Sequence, residues 1–131
     1  MSTDGLITTA SARSVRETID RLEADVKSKG LTVFARIDHA AGALAVGMAL
    51  RPTELLIFGN ARGGTPLMQA HQSVGIDLPL KALAFEDSAG KVWLAYNDPV
   101  WLVTRHGGGR DEAADRLAGM LAAVTKAATS A

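Results

Sequence analysis

The stretch Glu54–Leu80, ELLIFGNARGGTPLMQAHQSVGIDLPL, decides how this chain is read. Leu55-Leu56-Ile57-Phe58 is a continuous apolar run and predicts a strand buried on both faces. It stops at the polar, glycine-rich loop Gly59-Asn60-Ala61-Arg62-Gly63-Gly64. Thr65 then reads as an N-cap and Pro66 as the first residue of a short helix, Thr65–Gln72. Strand, glycine loop and helix start can together hold an anion, because backbone N–H groups stand free at the helix start. A tight connection whose glycines take positive φ has the same appearance.

Upstream, Leu6–Ala10 reads as a short first strand. Ser14-Val-Arg-Glu17 is a capping box, and Val15, Ile19, Leu22 and Val26 follow as one helical stripe. Gly30 is a helix stop. Leu31, Val33, Ala35 and Ile37 alternate with Thr32, Phe34 and Arg36, the period of a strand with one buried face. Ala40–Leu50 suits either a short helix or an extended segment, and Arg51-Pro52 ends it.

Downstream, Lys81–Phe85 and Val92–Tyr96 read as strands joined by the hairpin turn Glu86-Asp-Ser-Ala-Gly-Lys91. Asn97 or Asp98 caps a helix that begins with Pro99. Gly107-Gly108-Gly109 is a hinge, and Asp111 starts a last helix with Leu117, Leu121, Val124 and Ala128 on one face. The whole predicts α+β: strand, helix, four strands, helix, with a largely antiparallel sheet and helices on one face. One domain covers residues 1–131, with residues 1–5 and 127–131 frayed.

Composition bounds the function. Fourteen basic and fourteen acidic residues cancel, where a nucleic-acid partner favours a basic excess. No cysteine is present, so thiolate catalysis and zinc–thiolate sites are excluded. The first fifteen residues show no secretory pattern, and the longest apolar stretch, Ala40–Leu50, is too short to span a bilayer. A cytoplasmic location is the expectation, with no nucleic-acid and no membrane partner.

Five segments occur in an order that resembles the domain-of-unknown-function 302 family. They are Ile37-Asp-His-Ala-Ala41, Ile57-Phe-Gly-Asn60, Gly64-Thr-Pro-Leu-Met68, Ile76-Asp-Leu-Pro-Leu80 and Trp93-Leu-Ala-Tyr-Asn-Asp-Pro99. The resemblance runs from about Leu6 to the last helix and departs at Ala61, where the family pattern usually carries proline. It implies a curved-sheet fold similar to the TATA-binding-protein-like architecture, without implying DNA binding. It also implies a homodimer and names no reaction.

His39, closing a strand after Asp38, is a candidate acid/base or, more simply, a loop-fixing histidine. His71 and His106 read as solvated. Three scattered histidines lack the spacing of a metal site, so neither metal nor cofactor is expected. Asn60, Arg62, Gly64 and Thr65 are the candidate anion-binding groups, although the loop is neither a Walker loop nor GxGxxG. Trp93, Tyr96 and Trp101 read as one packing cluster in the core or at a dimer interface. Ser73 and Ser88 lack a nucleophile-elbow context, which gives hydrolase chemistry no support.

Three functions follow as expectations. The first is a dimer binding a small anionic molecule near His39 and the Gly59–Thr65 loop. The second is an enzyme using His39 as acid/base, and the third a protein-interaction module.

Overall fold

The computed structural model describes residues 3–131. Met1 and Ser2, part of the expected frayed start, lie outside the described residues. Five described strands form one antiparallel sheet: β1 (Leu6–Ser11), β2 (Thr32–Asp38), β3 (Thr53–Gly59), β4 (Leu80–Glu86) and β5 (Val92–Asn97). Their order across the sheet is β1-β5-β4-β3-β2. The helices are α1 (Val15–Ser28), α2 (His39–Ala45), α3 (Ala61–Ala70), α4 (Pro99–Arg105) and α5 (Glu112–Thr129), with a 3-10 turn at Gln72–Asp77. The α+β expectation holds, and its strands agree with the sequence reading to within two residues at each end.

The helix signals work as chemistry. The Glu17 N–H donates to Ser14 Oγ at 3.1 Å and the Glu17 carboxylate accepts from the same hydroxyl at 3.3 Å. Gly30 sits at φ +79, and the Leu31 N–H returns to the Val26 carbonyl at 3.0 Å, so the chain turns sharply into β2. Asp98 and Asp111 cap α4 and α5. In the β4–β5 hairpin Asp87 Oδ1 accepts the N–H groups of Ala89 and Lys91, with Gly90 at φ +82.

The α1 stripe of Ile19, Leu22 and Val26 is fully buried with Leu56, Phe58 and Leu94 from the sheet and Leu121, Val124 and Ala128 from α5. Each of the large side chains is worth about 1.5–3 kcal/mol on burial, so the packing of α1 and α5 side by side on one face of the sheet holds the fold. The C-terminus is not frayed at residues 128 and 129, contrary to the sequence expectation. Ala128 and Thr129 are buried, and the Thr129 carbonyl accepts from the Ala12 N–H at 2.9 Å.

Two strand readings change. β2 has no single buried face, because a bulge between Val33 and Ala35 resets its phase. Val33 pairs with Phe58 on the helix side, whereas Ala35 and Ile37 pair with Ile57 and Leu55 on the opposite side. β3 is likewise covered on one face: Leu56 and Phe58 are buried, but Leu55 and Ile57 are only partly so. The aromatic residues also separate. Tyr96 is in the core, Trp93 shares the uncovered face with Phe85, and Trp101 lies against Gly5.

Candidate functional site

The glycine loop of the sequence reading is mostly helix. Asn60, not Thr65, is the N-cap of α3, and its Oδ1 accepts the Gly63 N–H at 2.7 Å. The Asn60 carbonyl accepts the Gly64 N–H at 3.1 Å, so the helix starts at Ala61, four residues before Thr65, and carries Pro66 within it. Ala61 occupies the first helical position, where the family's proline would sit well. The Gly64 bond is the first regular bond of the helix, so among the orphan donors of the first turn Asn60 Oδ1 takes that of Gly63, and those of Ala61 and Arg62 remain. Arg62 is exposed beside them, and Thr65 is exposed on the second turn.

Beneath this helix start lies a cavity of about 300 Å³. It opens between the ends of β2, β3 and β4 and the facing sides of α3 and α5. Leu31, Phe34, Met68, Leu78, Leu117 and Met120 supply its apolar wall, and Asn60 is its polar side chain. The β2 bulge throws Phe34 out at this rim. Gly64 keeps the wall thin, since a Cβ there would already touch Leu78 and Met68 at 3.4 and 3.7 Å. Gly63 and Gly64 line the same cavity.

His39 is elsewhere. It is the first residue of α2, beyond Asp38 at the far end of β2, while the cavity sits beside Leu31 at the near end. Seven strand residues separate the two ends, a span of about 23 Å at the usual rise. His39 is exposed, and the α2 cap is made by Asp38, whose Oδ1 accepts the Ala41 N–H at 2.9 Å. His39 and the Asn60–Thr65 segment therefore do not form one site. A second, larger cavity of about 550 Å³ opens near Asp38, between the start of α1 and the segment after α2. Its wall includes Glu54, which is buried and held by Arg36 Nε at 3.1 Å.

The structure also joins residues that the sequence reading left apart. Ser73 Oγ lies 2.8 Å from His106 Nδ1, and His106 Nε2 lies 2.6 Å from Asp77 Oδ2. Arg105 Nη1 meets both Asp77 oxygens at 2.9 Å. His106 is not solvated, as its side chain is only 11% exposed. Burial pushes the Asp77 carboxyl up, but the His106 bond and then the Arg105 charge outweigh it and hold the group below the ordinary carboxylate range. His71 caps the end of α3 instead of lying within a helix, and packs closely on Gly108. The four-residue spacing of Ser73 and Asp77 on one short turn, and Arg105-His106 at a helix end, were the only local signals of this cluster.

Among the described residues no group of three or more acidic, histidine or cysteine side chains could hold a metal ion. No described helix is long and apolar enough to cross a membrane.

The family model described as "Domain of unknown function DUF302" matches residues 7–124. The chain is 57% identical over 102 residues to proteins named Fluoride-specific ion channel FluC 1 from Brucella suis biovar 1 and from Brucella abortus biovar 1. The match covers 78% of this chain and 40% and 38% of those proteins, so the chain spans about two fifths of their length. Among solved structures it is similar to an uncharacterized conserved DUF302 protein from Bacillus stearothermophilus, with a TM-score of 0.76 and 21% identity over 97% of each chain.

Proposed function

The chain belongs to the DUF302 family, and from that premise we propose that it is a cytoplasmic, self-associating binding domain. Its ligand is a small molecule with an apolar body and an anionic end. The observation that carries this reading is the cavity of about 300 Å³ under α3, apolar in its wall apart from the Asn60 side chain. Small-molecule sites combine a mostly apolar wall with a few placed polar groups. The anion expected at Gly63–Thr65 moves one turn earlier, because the Gly63 and Gly64 N–H groups are already bonded to Asn60. The remaining donors belong to Ala61, which lines the cavity, and to Arg62, an exposed residue outside the cavity wall whose long side chain supplies the charge in this reading.

Titration calorimetry with hexanoate and octanoate tests the proposal against inorganic phosphate. The carboxylates should bind more tightly than phosphate, because only they fill the apolar wall. Arg62→Ala should weaken binding by about 1–3 kcal/mol, the range for a lost charged hydrogen bond, and change stability by less than about 0.5 kcal/mol at this exposed position. Absence of carboxylate binding, or equal binding by the variant, removes the reading.

A second reading draws on the curated relatives. Since 102 residues match part of proteins named as fluoride channels, the chain would act as an interaction module beside such a channel. The conductance itself is not carried over, as the chain spans only about two fifths of those proteins. Co-purification with a fluoride channel of the same cell supports this reading, and clean separation of the two removes it.

A further inference from the structure

We propose that Ser73, His106 and Asp77 form a nucleophilic centre that hydrolyses small carboxylic esters, a site separate from the cavity under α3. The argument begins with proton positions. Asp77 is tied to Arg105 through both oxygens and offers only acceptors. His106 Nε2, at 2.6 Å from Asp77 Oδ2, must therefore carry a proton. In the neutral ring Nδ1 is then bare, and the Ser73 hydroxyl at 2.8 Å donates to it. A hydroxyl aimed at a bare imidazole nitrogen, with the ring held by a carboxylate, is the arrangement that activates a serine. The ring nitrogens are used in the reverse sense to the best-known serine hydrolases, where the carboxylate takes Nδ1. The roles are recognised by geometry and do not depend on which nitrogen faces which partner.

The surroundings suit the role. Ser73 is exposed, while His106 and Asp77 are largely buried, at 11% and 16% side-chain exposure. The nucleophile thus meets solvent-borne substrate, and the base and its orienting carboxylate stay fixed. Asp77 and Arg105 are positioning residues, because neither touches Ser73. Since neither cavity includes Ser73 in its wall, the substrate is a small ester approaching from solvent.

The chemistry balances. Ser73 Oγ bonds to the acyl carbon while its proton passes to His106 Nδ1. The carbon–oxygen bond to the leaving alkoxide breaks, and that oxygen takes the proton from Nδ1. Water then attacks the acyl carbon and gives a proton to Nδ1, and Ser73 Oγ leaves and recovers it. The products are a carboxylic acid and an alcohol.

The whole chain is treated with p-nitrophenyl acetate and, separately, with a fluorophosphonate, and the adduct is mapped by mass spectrometry. The expected result is a single adduct on Ser73, absent in Ser73→Ala. General-base assistance accounts for a factor of about 10²–10⁴, so acylation in His106→Gln should fall at least tenfold. Ser73→Ala replaces an exposed side chain, and its melting temperature should match that of the parent. Asp77→Asn tests positioning: an amide can donate to Nε2 and turn the ring proton onto Nδ1. Acylation should fall at least tenfold, and Asp77→Glu, which keeps the acceptor, should recover part of the rate. If Asp77 acted only through stability, acylation in Asp77→Asn would fall only as far as its melting temperature explains, and Asp77→Glu would bring no recovery beyond its own melting temperature. No adduct on Ser73, or an equal rate in His106→Gln, overturns the proposal.

Discussion

Asn60 serves the backbone and the cavity at once. Its side chain satisfies the Gly63 N–H, its carbonyl satisfies that of Gly64, and its other side faces the apolar wall. Removing an N-cap of this type costs typically about 1 kcal/mol, so Asn60→Ala should destabilise by roughly that amount in urea unfolding and also weaken carboxylate binding. His39→Ala provides the contrast. His39 is exposed and leaves the α2 cap to Asp38, so its replacement should change stability by less than about 0.5 kcal/mol. It should also leave carboxylate binding untouched, since the cavity lies at the other end of β2. A binding loss in His39→Ala would contradict the separation of the two ends. His39 followed a strand and sat beside small residues in the sequence, but sequence does not say at which end of a sheet a side chain emerges.

At the scale of elements, the start of α3 was legible only in part. Thr65-Pro66 carries a strong start signal, but Asn60 is an equally good cap and its helix includes Ala61 and Arg62 before the two glycines. Glycine costs about 1 kcal/mol in a helix interior, which argued for a loop. Close packing overrides that cost here, because a Cβ at Gly63 would meet Leu117 at 3.1 Å. Local capping signals elsewhere read correctly, since each depends on neighbours in sequence. The link between the 3-10 turn and α4 was invisible because Asp77 and His106 are 29 residues apart. That link carries a pH dependence. Asp77 binds a proton less readily folded than unfolded, so it stabilises the fold above the ordinary aspartate range near about 4 and loses this as pH falls further. Asp77→Asn should lower stability by about 1 kcal/mol at pH 7, a figure reduced for the half-exposed Arg105 partner. The variant's melting temperature should also fall less steeply than the parent's below about pH 4.

At the scale of the molecule, the helices α1 and α5 cover one face of the sheet and leave the other open. Leu55, Ile57, Leu83, Phe85 and Trp93 point to that side, together with Ile37 on the edge strand. Lys81 is the one charged residue in the β3–β5 part of this face. Five strands about 4.8 Å apart and about 20 Å long give a plan area of roughly 500 Å², short of the roughly 800 Å² per partner that a stable dimer buries. Leu44, at the end of α2, and Val46 and Met48 after it are 76%, 72% and 66% exposed. They form a separate apolar patch, because Leu44 and Met48 line the cavity against the start of α1, on the helix side of the sheet. In the proposed self-association a second copy covers the open face. Isologous pairing presents the same patches to each other. Analytical ultracentrifugation at micromolar concentration should therefore give a species of twice the 13.7 kDa chain mass. Ile37→Asp together with Ile57→Asp should shift it to the monomer while leaving the far-ultraviolet spectrum unchanged, since both side chains lie on the open face and neither belongs to the buried core. A parent protein that sediments as a monomer would leave the open face to some other partner and would remove self-association from the proposed function.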